Sequence, residues 1–266
     1  MSHYLDVAVE VARQAGKLLL AHFDRGVQAS YKGGADLITE ADRRSEELIV
    51  ERLRSYFPKH SVVAEEGGGR PAESPFCWYV DPLDGTTNFV HRYPCFAVSI
   101  ALMQEKDLLA GVVYDPVREE LFRAERGGGA FLNHRPIRVS LTERLAESLL
   151  GTGFPTQKRH PNPNIGYYQQ FTLCSHGVRR DGSAALDLCY VACGRFDGFW
   201  ELNLKAWDTA AGTLIVREAG GVVTDFSGRP YQPGDPEIAA SNARIHTQLQ
   251  AVFAEVAALA GSSTGG

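Results

Sequence analysis

At 266 residues, with 44% hydrophobic and 22% charged residues, the chain can bury one large core or two smaller ones, which excludes a disordered chain. Its 27 basic against 32 acidic residues, a formal net charge of −5, exclude a general attraction to nucleic acid or an anionic membrane, so a phosphorylated ligand needs a local source of positive charge. No apolar run reaches the roughly 18 residues of a membrane span, and the start, MSHYLDVAVE, has an acid where a signal peptide would carry a base, so a cytoplasmic protein is expected.

Along residues 4–23, Tyr4, Val7, Ala8, Val11, Ala15, Leu18 and Leu19 recur at three- and four-residue spacing, which predicts a helix with one apolar stripe. A second helix is expected from TEADRRSEELIVERLRSYFP: Thr39 caps it, Asp42 completes a capping box, and Pro58 ends it. Both helices precede the first strand in this reading. The runs SVVAEE, CWYVD, FAVSIALM, LAGVVYDP and ELFRAERG are short, rich in β-branched and aromatic residues, and broken by Gly, Pro or Asp, so they predict a sheet. Beyond residue 140, strands (ESLLGTG, FDGFWEL) alternate with helices (NIGYYQQFTLCSH, AALDLCYVACG, WDTAAGTLIVREAGG). The division is two halves, 1–140 and 141–266, forming one catalytic unit. PTQKRHPNPN reads as a loop, glycines 67–69 as a mobile one, and GSSTGG as a disordered tail. Cys77, Cys95, Cys174, Cys189 and Cys193, odd in number and without CxxC spacing, read as reduced, mostly buried thiols.

The densest chemistry lies in WYVDPLDGTTNF, residues 78–89. Pro82 presets a turn that brings Asp81 and Asp84 to one side, whereas a straight strand would send them to opposite faces. Two carboxylates so close raise each other's pKa unless a cation lets both ionise, and hard oxygen donors without nearby cysteine or paired histidine point to Mg²⁺ rather than Zn²⁺. Gly85 permits close backbone approach, and TTNF reads as a helix start whose N–H groups can hold a phosphate oxygen. Taken alone, DPLDG also reads as a capped strand-to-helix turn. Likewise Glu65 and Glu66 read as a solvated pair, Asp208 as an N-cap, and Asp42 as a cap.

Three signatures in this order, EE at 65–66, DPLDGTTNF at 81–89 and WDTAAG at 207–212, resemble the inositol monophosphatase family of Mg²⁺-dependent, lithium-sensitive phosphatases, and the likeness covers nearly the whole chain. The resemblance implies an α/β fold layered as an αβαβα sandwich, a homodimer, and hydrolysis of inositol 1-phosphate and related polyol or sugar monophosphates. It implies Glu65, Asp81, the Leu83 carbonyl, Asp84 and Asp208 as ligands of two or three Mg²⁺ ions. Gly85 and Thr86 become phosphate contacts, and Thr86 with Asp42 the pair that activates water, served by the metal on Glu65. Arg179, Gly182, Ser183, Ala184, Glu201 and Asp208 then line the substrate side, with Arg180 unassigned. His91 reads as structural.

Within that fold, nucleotide and histidinol phosphatases usually carry Lys after DGT, where this chain has Thr87 and Asn88. A fructose-1,6-bisphosphatase stays open, since it needs only a basic residue at the pocket rim. A non-catalytic partner in a transcription complex is the reading from another class. The sequence also offers Glu201 no positive neighbour, which suits ring hydroxyls better than a second phosphate.

Overall fold

The N-terminal apolar stripe folds as α1 (His3–Arg25), with Leu5, Val7, Ala8, Val11, Ala12, Ala15 and Leu19 buried along one face. The structure is a computed structural model that describes residues 2–25, 29–33, 36–67, 72–154 and 162–263. Gly68 and Gly69, most of the Pro- and Asn-rich loop and the last residues of the tail lie outside the described residues. The next helix is not adjacent to α1 along the chain. Between them runs an antiparallel hairpin of β1 (Ala29–Gly33) and β2 (Asp36–Thr39), which corrects the expectation that both helices precede the first strand. Its segments are too short and polar to show an alternating apolar pattern.

Thr39 then caps α2 (Glu40–Tyr56). Its Oγ1 accepts the N–H groups of Ala41 and Asp42, while Asp42 Oδ2 accepts the Thr39 N–H at 2.8 Å, the reciprocal box the sequence predicts. There follow β3 (Ser61–Ala64), β4 (Phe76–Asp84), the single turn α3 (Thr86–Val90), β5 (Ala97–Gln104), β6 (Asp107–Asp115), β7 (Glu120–Glu125), β8 (Gly129–Leu132) and β9 (Arg135–Pro136). Among the described residues these strands pair in chain order into a seven-stranded sheet, parallel only between β3 and β4.

The rest of the chain supplies β10 (Leu149–Thr152), α4 (Asn164–Cys174), β11 (Gly177–Arg179), α5 (Ala184–Ala192), β12 (Gly198–Leu202), α6 (Ala206–Glu218), β13 (Val222–Thr224), β14 (Glu237–Ser241) and α7 (His246–Ser263). Its strands join in the order β11-β10-β12-β14-β13, with β10 parallel to both neighbours. The final helix α7 and strands β8, β9, β11, β13 and β14 are elements that the sequence patterns do not announce. The strands are short, and α7 buries one stripe of Leu249, Val252 and Phe253, which continues from Ile245 just before it, but alanines on its other face blur that stripe in the sequence.

Five layers result. Helices α1 and α2 cover one face of the seven-stranded sheet, α5 and α6 lie between its other face and the five-stranded sheet, and α4 and α7 cover the far side. This is the αβαβα order that the resemblance implies. It explains why β5 is apolar on both faces: Val98, Ile100 and Leu102 pack toward α1 and α2, whereas Ala97, Ala101 and Met103 pack into the middle layer. Helix α6 approaches the sheet closely because Gly111 lacks a side chain; a Cβ there would lie 3.0 Å from the Ala211 backbone. The Ser99 hydroxyl donates to the Trp207 carbonyl at 3.1 Å, which holds the first turn of α6 beside β4 and β5. Cys95 and Cys189 are buried, the other cysteines are half-buried, and none is bridged. No helix among the described residues is long and apolar enough to cross a membrane.

Candidate active site

Strand β4 does not stop at Val80. Asp81 pairs with Ser99 and Asp84 with Ala97 of β5, so three steps along β4 face two along β5. The feature is a β-bulge inside the strand, not the turn beyond its end that the sequence suggests. Its consequence is the expected one, because the additional residue brings two side chains three apart onto one face. Pro82, which cannot donate to a sheet ladder, fits such a position, and its carbonyl accepts the Ser45 hydroxyl of α2 at 2.9 Å. Asp81 Oδ1 accepts the Leu83 N–H at 3.0 Å.

Gly85 follows with φ +99°, and a Cβ there would lie 2.9 Å from the Cys95 carbonyl and 3.3 Å from the Gly182 carbonyl. Only glycine meets both demands. The DPLDGTTNF signature and the distant turn at Asp181 and Gly182 therefore touch, and Asn88 ties them together: its Nδ2 donates to the Cys95 and Asp181 carbonyls, each at 2.7 Å. Ser183, the N-cap of α5, donates its hydroxyl to Asp84 Oδ2 at 2.6 Å, and the Ala185 N–H reaches the same oxygen at 2.8 Å. Ser183 thus positions Asp84, a role that its place in the sequence does not suggest.

Glu65 stands half-buried in the turn after β3. Glu46, buried on α2, holds that turn by accepting the Glu66 N–H at 2.7 Å. Asp208 lies in the first turn of α6, but Lys205 rather than Asp208 is the N-cap; Asp208 is the third helical residue and accepts the Lys205 N–H at 2.7 Å. Its carboxylate is therefore set one turn inward from where an N-cap would stand.

Glu65, Asp81, Asp84 and Asp208 share one electrostatic neighbourhood. Burial, followed by the charges of Glu65, Asp84 and Asp208, pushes Asp81 well above the ordinary carboxylate range. Asp84 is pushed up to about 6 by burial, against hydrogen bonds from Ser183 and the Ala185 and Ala184 N–H groups. Asp208 rises to about 8 through burial and then the charge of Asp84. Among the described residues no three carboxylate, histidine or cysteine side chains converge into a finished cation cage; the carboxylates sense one another while Asp81, Asp84 and Asp208 each turn an oxygen to a protein donor. The donor set still fits a hard divalent cation: it is all oxygen, and a cation would remove the repulsion that keeps these acids from ionising together.

Beside this group, the Thr86 hydroxyl lies 3.0 Å from Asp42 Oδ1 and 3.2 Å from the Leu83 carbonyl. Asp42 is completely buried, and burial raises its pKa against the hydrogen bonds from Thr39 and Thr86. Glu201 is buried at the end of β12; burial, then Asp208 and Asp84, raise its pKa, and Arg180 opposes them. The local sequence offers Glu201 no positive partner, but across the fold the charge of Arg180 reaches it and also the buried Asp187. Arg179 is exposed, and its guanidinium lies 3.5 Å from the Val178 carbonyl.

Ser45, Glu46 and Asn88 border the candidate site and are missed by sequence reasoning, which leaves Arg180 unassigned. For the first two a signal existed: Asp42, Ser45 and Glu46 interrupt the buried stripe of α2 with polar side chains, and a buried polar residue needs a partner. Asn88 and Arg180 act across the fold, which local sequence does not report.

The family model for the inositol monophosphatase family matches residues 1–258. An inositol-1-monophosphatase from Synechocystis sp. is 46% identical over 256 residues, covering 94% of this chain and 88% of that one. Nus factor SuhB from Pseudomonas aeruginosa is 46% identical over 236 residues, covering 86% and 87%. The crystal structure of extragenic suppressor protein SuhB from Bartonella henselae superposes with a TM-score of 0.89 at 43% identity, covering 95% of this chain and 98% of that one. With sequence and fold agreeing over nearly its whole length, the chain belongs to the inositol monophosphatase family and is a phosphoric monoester hydrolase.

Proposed function

We propose that the protein is a Mg²⁺-dependent phosphatase of inositol 1-phosphate and related polyol or sugar monophosphates, acting in the cytoplasm as a homodimer. The observation that carries this reading is the β4 bulge, which sets Asp81 and Asp84 on one face beside the hydrogen-bonded pair of Thr86 and Asp42. Glu65, Asp81, the Leu83 carbonyl, Asp84 and Asp208 would hold the metal. Bound there, Mg²⁺ supplies charge neutralisation of the phosphoryl group, acidification of the attacking water and stabilisation of the leaving oxygen.

The chain's own residues do the rest. Thr86 takes a proton from the attacking water as it passes its own to Asp42 Oδ1, and the raised pKa of Asp42 makes that carboxylate a ready acceptor. The main-chain N–H groups of Gly85 and Thr86, at the start of α3, meet phosphate oxygens. Glu201, Gly182, Ala184 and the arginines of the Arg179–Arg180 pair line the polyol side, with Ser183 acting through Asp84.

A panel of phosphate esters assayed with Mg²⁺ tests the proposal. Inositol 1-phosphate and other polyol or sugar monophosphates are expected to be hydrolysed, ahead of fructose 1,6-bisphosphate and nucleotide or histidinol phosphates. Full activity in excess chelator, or no hydrolysis of any monoester, overturns it. The relatives named Nus factor SuhB support a second reading, in which the chain also serves as a partner in a transcription complex.

A further inference from the structure

The stretch LLGTGF, residues 149–154, alternates along the end of β10, so that Gly151 and Gly153 fall on one face and Thr152 on the other. On the threonine face four groups close a ring. The Thr152 hydroxyl donates to the Trp200 carbonyl at 2.7 Å, and Trp200 Nε1 donates to Asn164 Oδ1 at 2.7 Å. Asn164 Nδ2 donates in return to Thr152 Oγ1 at 3.1 Å and to the Gly153 carbonyl at 2.5 Å. Thr152, Asn164 and Trp200 are fully buried, and a buried polar circuit with its donors and acceptors matched is rigid.

The glycine face receives acidic side chains. A Cβ at position 151 would come 3.5 Å from the Asp187 carboxyl carbon and 2.9 Å from the Phe196 ring, and one at position 153 would come 2.2 Å from both carboxylate oxygens of Glu201. The Glu201 carboxylate therefore fills the volume that a side chain at 153 would take. Strands β10 and β12 run parallel with Thr152 opposite Trp200, so the next residues along, Gly153 and Glu201, are neighbours across the strands, and the ring binds the main chain on both sides of that contact.

We infer that Gly153, backed by the ring of Thr152, Asn164 and Trp200, is the positioning device for Glu201 and so determines selectivity for hydroxyl-bearing phosphate esters over plain ones. The inference rests on the proposed function, in which Glu201 meets the polyol. A glutamate has three rotatable bonds, and a carboxylate laid against bare backbone is fixed before substrate arrives. Moving it aside weakens contacts to ring hydroxyls and leaves the phosphate end of the substrate in place.

The test compares kcat and KM for inositol 1-phosphate and phenyl phosphate in the full chain carrying Gly153→Ala or Thr152→Val, each alone and combined with Glu201→Ala. Gly153→Ala is expected to lower kcat/KM for inositol 1-phosphate about tenfold more than for phenyl phosphate, chiefly through KM. Thr152→Val, which removes one hydroxyl at nearly constant shape, is expected to act in the same direction by about threefold. With Glu201→Ala present, neither substitution should discriminate between the two esters. Equal losses on both esters, or selectivity losses that persist without Glu201, overturn the inference alone, and Thr152→Val decides the matter if Gly153→Ala does not fold. A wild-type chain that hydrolyses neither ester overturns the functional reading and the inference with it.

Discussion

The Ser183 hydroxyl donates to Asp84 Oδ2 at 2.6 Å across 99 residues of chain, and Ser183 Oγ also caps α5 by accepting the Leu186 N–H. A single hydroxyl thus orients a proposed metal ligand and starts a helix of the middle layer. Ser183→Ala should lower stability by about 1 kcal/mol, the usual cost of a lost N-cap. It should also weaken Mg²⁺ affinity about 10- to 100-fold, so that activity lost at low Mg²⁺ returns at high Mg²⁺. Thermal melting and a Mg²⁺ titration of the activity read the two effects separately, and Ser183→Thr should retain both functions.

The contact between Thr86 and Asp42 predicts a hydroxyl-dependent rate. Thr86→Val keeps the side-chain shape but removes the proton relay, and kcat should fall by about 10²- to 10⁴-fold with KM little changed. Thr86→Ser should retain most of the activity. A valine variant with near wild-type kcat would remove Thr86 from the proposed chemistry.

Removal of the metal should abolish hydrolysis, and excess Mg²⁺ should restore it. Because the acids around Asp81 repel one another, Mg²⁺ should also raise the melting temperature, and Asp84→Asn should shrink that rise while lowering kcat by several orders of magnitude. Millimolar lithium should inhibit at saturating substrate. Calorimetry with and without the ion checks the rise in melting temperature independently of turnover.

The dependence of stability on pH should show the buried His246, whose ring nitrogens lie 2.9 Å from the hydroxyls of Thr224 and Ser241. Burial lowers its pKa below the ordinary 6.5. A base with a lower pKa in the folded state is protonated first in the unfolded chain. Its contribution to stability is therefore complete above 6.5 and is lost as pH falls from there toward the folded value. His60 has the same sign. The melting temperature of His246→Asn should fall less than that of the wild type between about pH 7.5 and about pH 5.5.

Several elements are legible in the order of residues alone. The stripe of α1 and the Thr39 to Asp42 capping box form as their spacing predicts, because they depend on residues within one or two turns of each other. The apolar strands of the central sheet are legible for the same reason. The residues that resemble the family signatures are visible too, since each signature is contiguous. The hairpin between α1 and α2 is not legible, because short polar strands carry no alternating pattern, and Asp208 looks like a cap because local sequence does not say which residue begins a helix.

What sequence alone determined is the inventory: oxygen-rich acids in DPLDG and WDTAAG, a hydroxyl at Thr86, and apolar runs enough to bury them between layers. What only the tertiary structure decided is how those groups are held. The bulge that puts Asp81 and Asp84 on one face depends on register with β5; Glu46 and Ser45 reach the site because α2 packs on β4; the charge of Arg180 is felt at Glu201; and Gly153 matters because a carboxylate from another strand occupies the place of its missing side chain. These are contacts between residues far apart in the chain, and their energies come from packing and charge at close range, which no local pattern of residue types encodes.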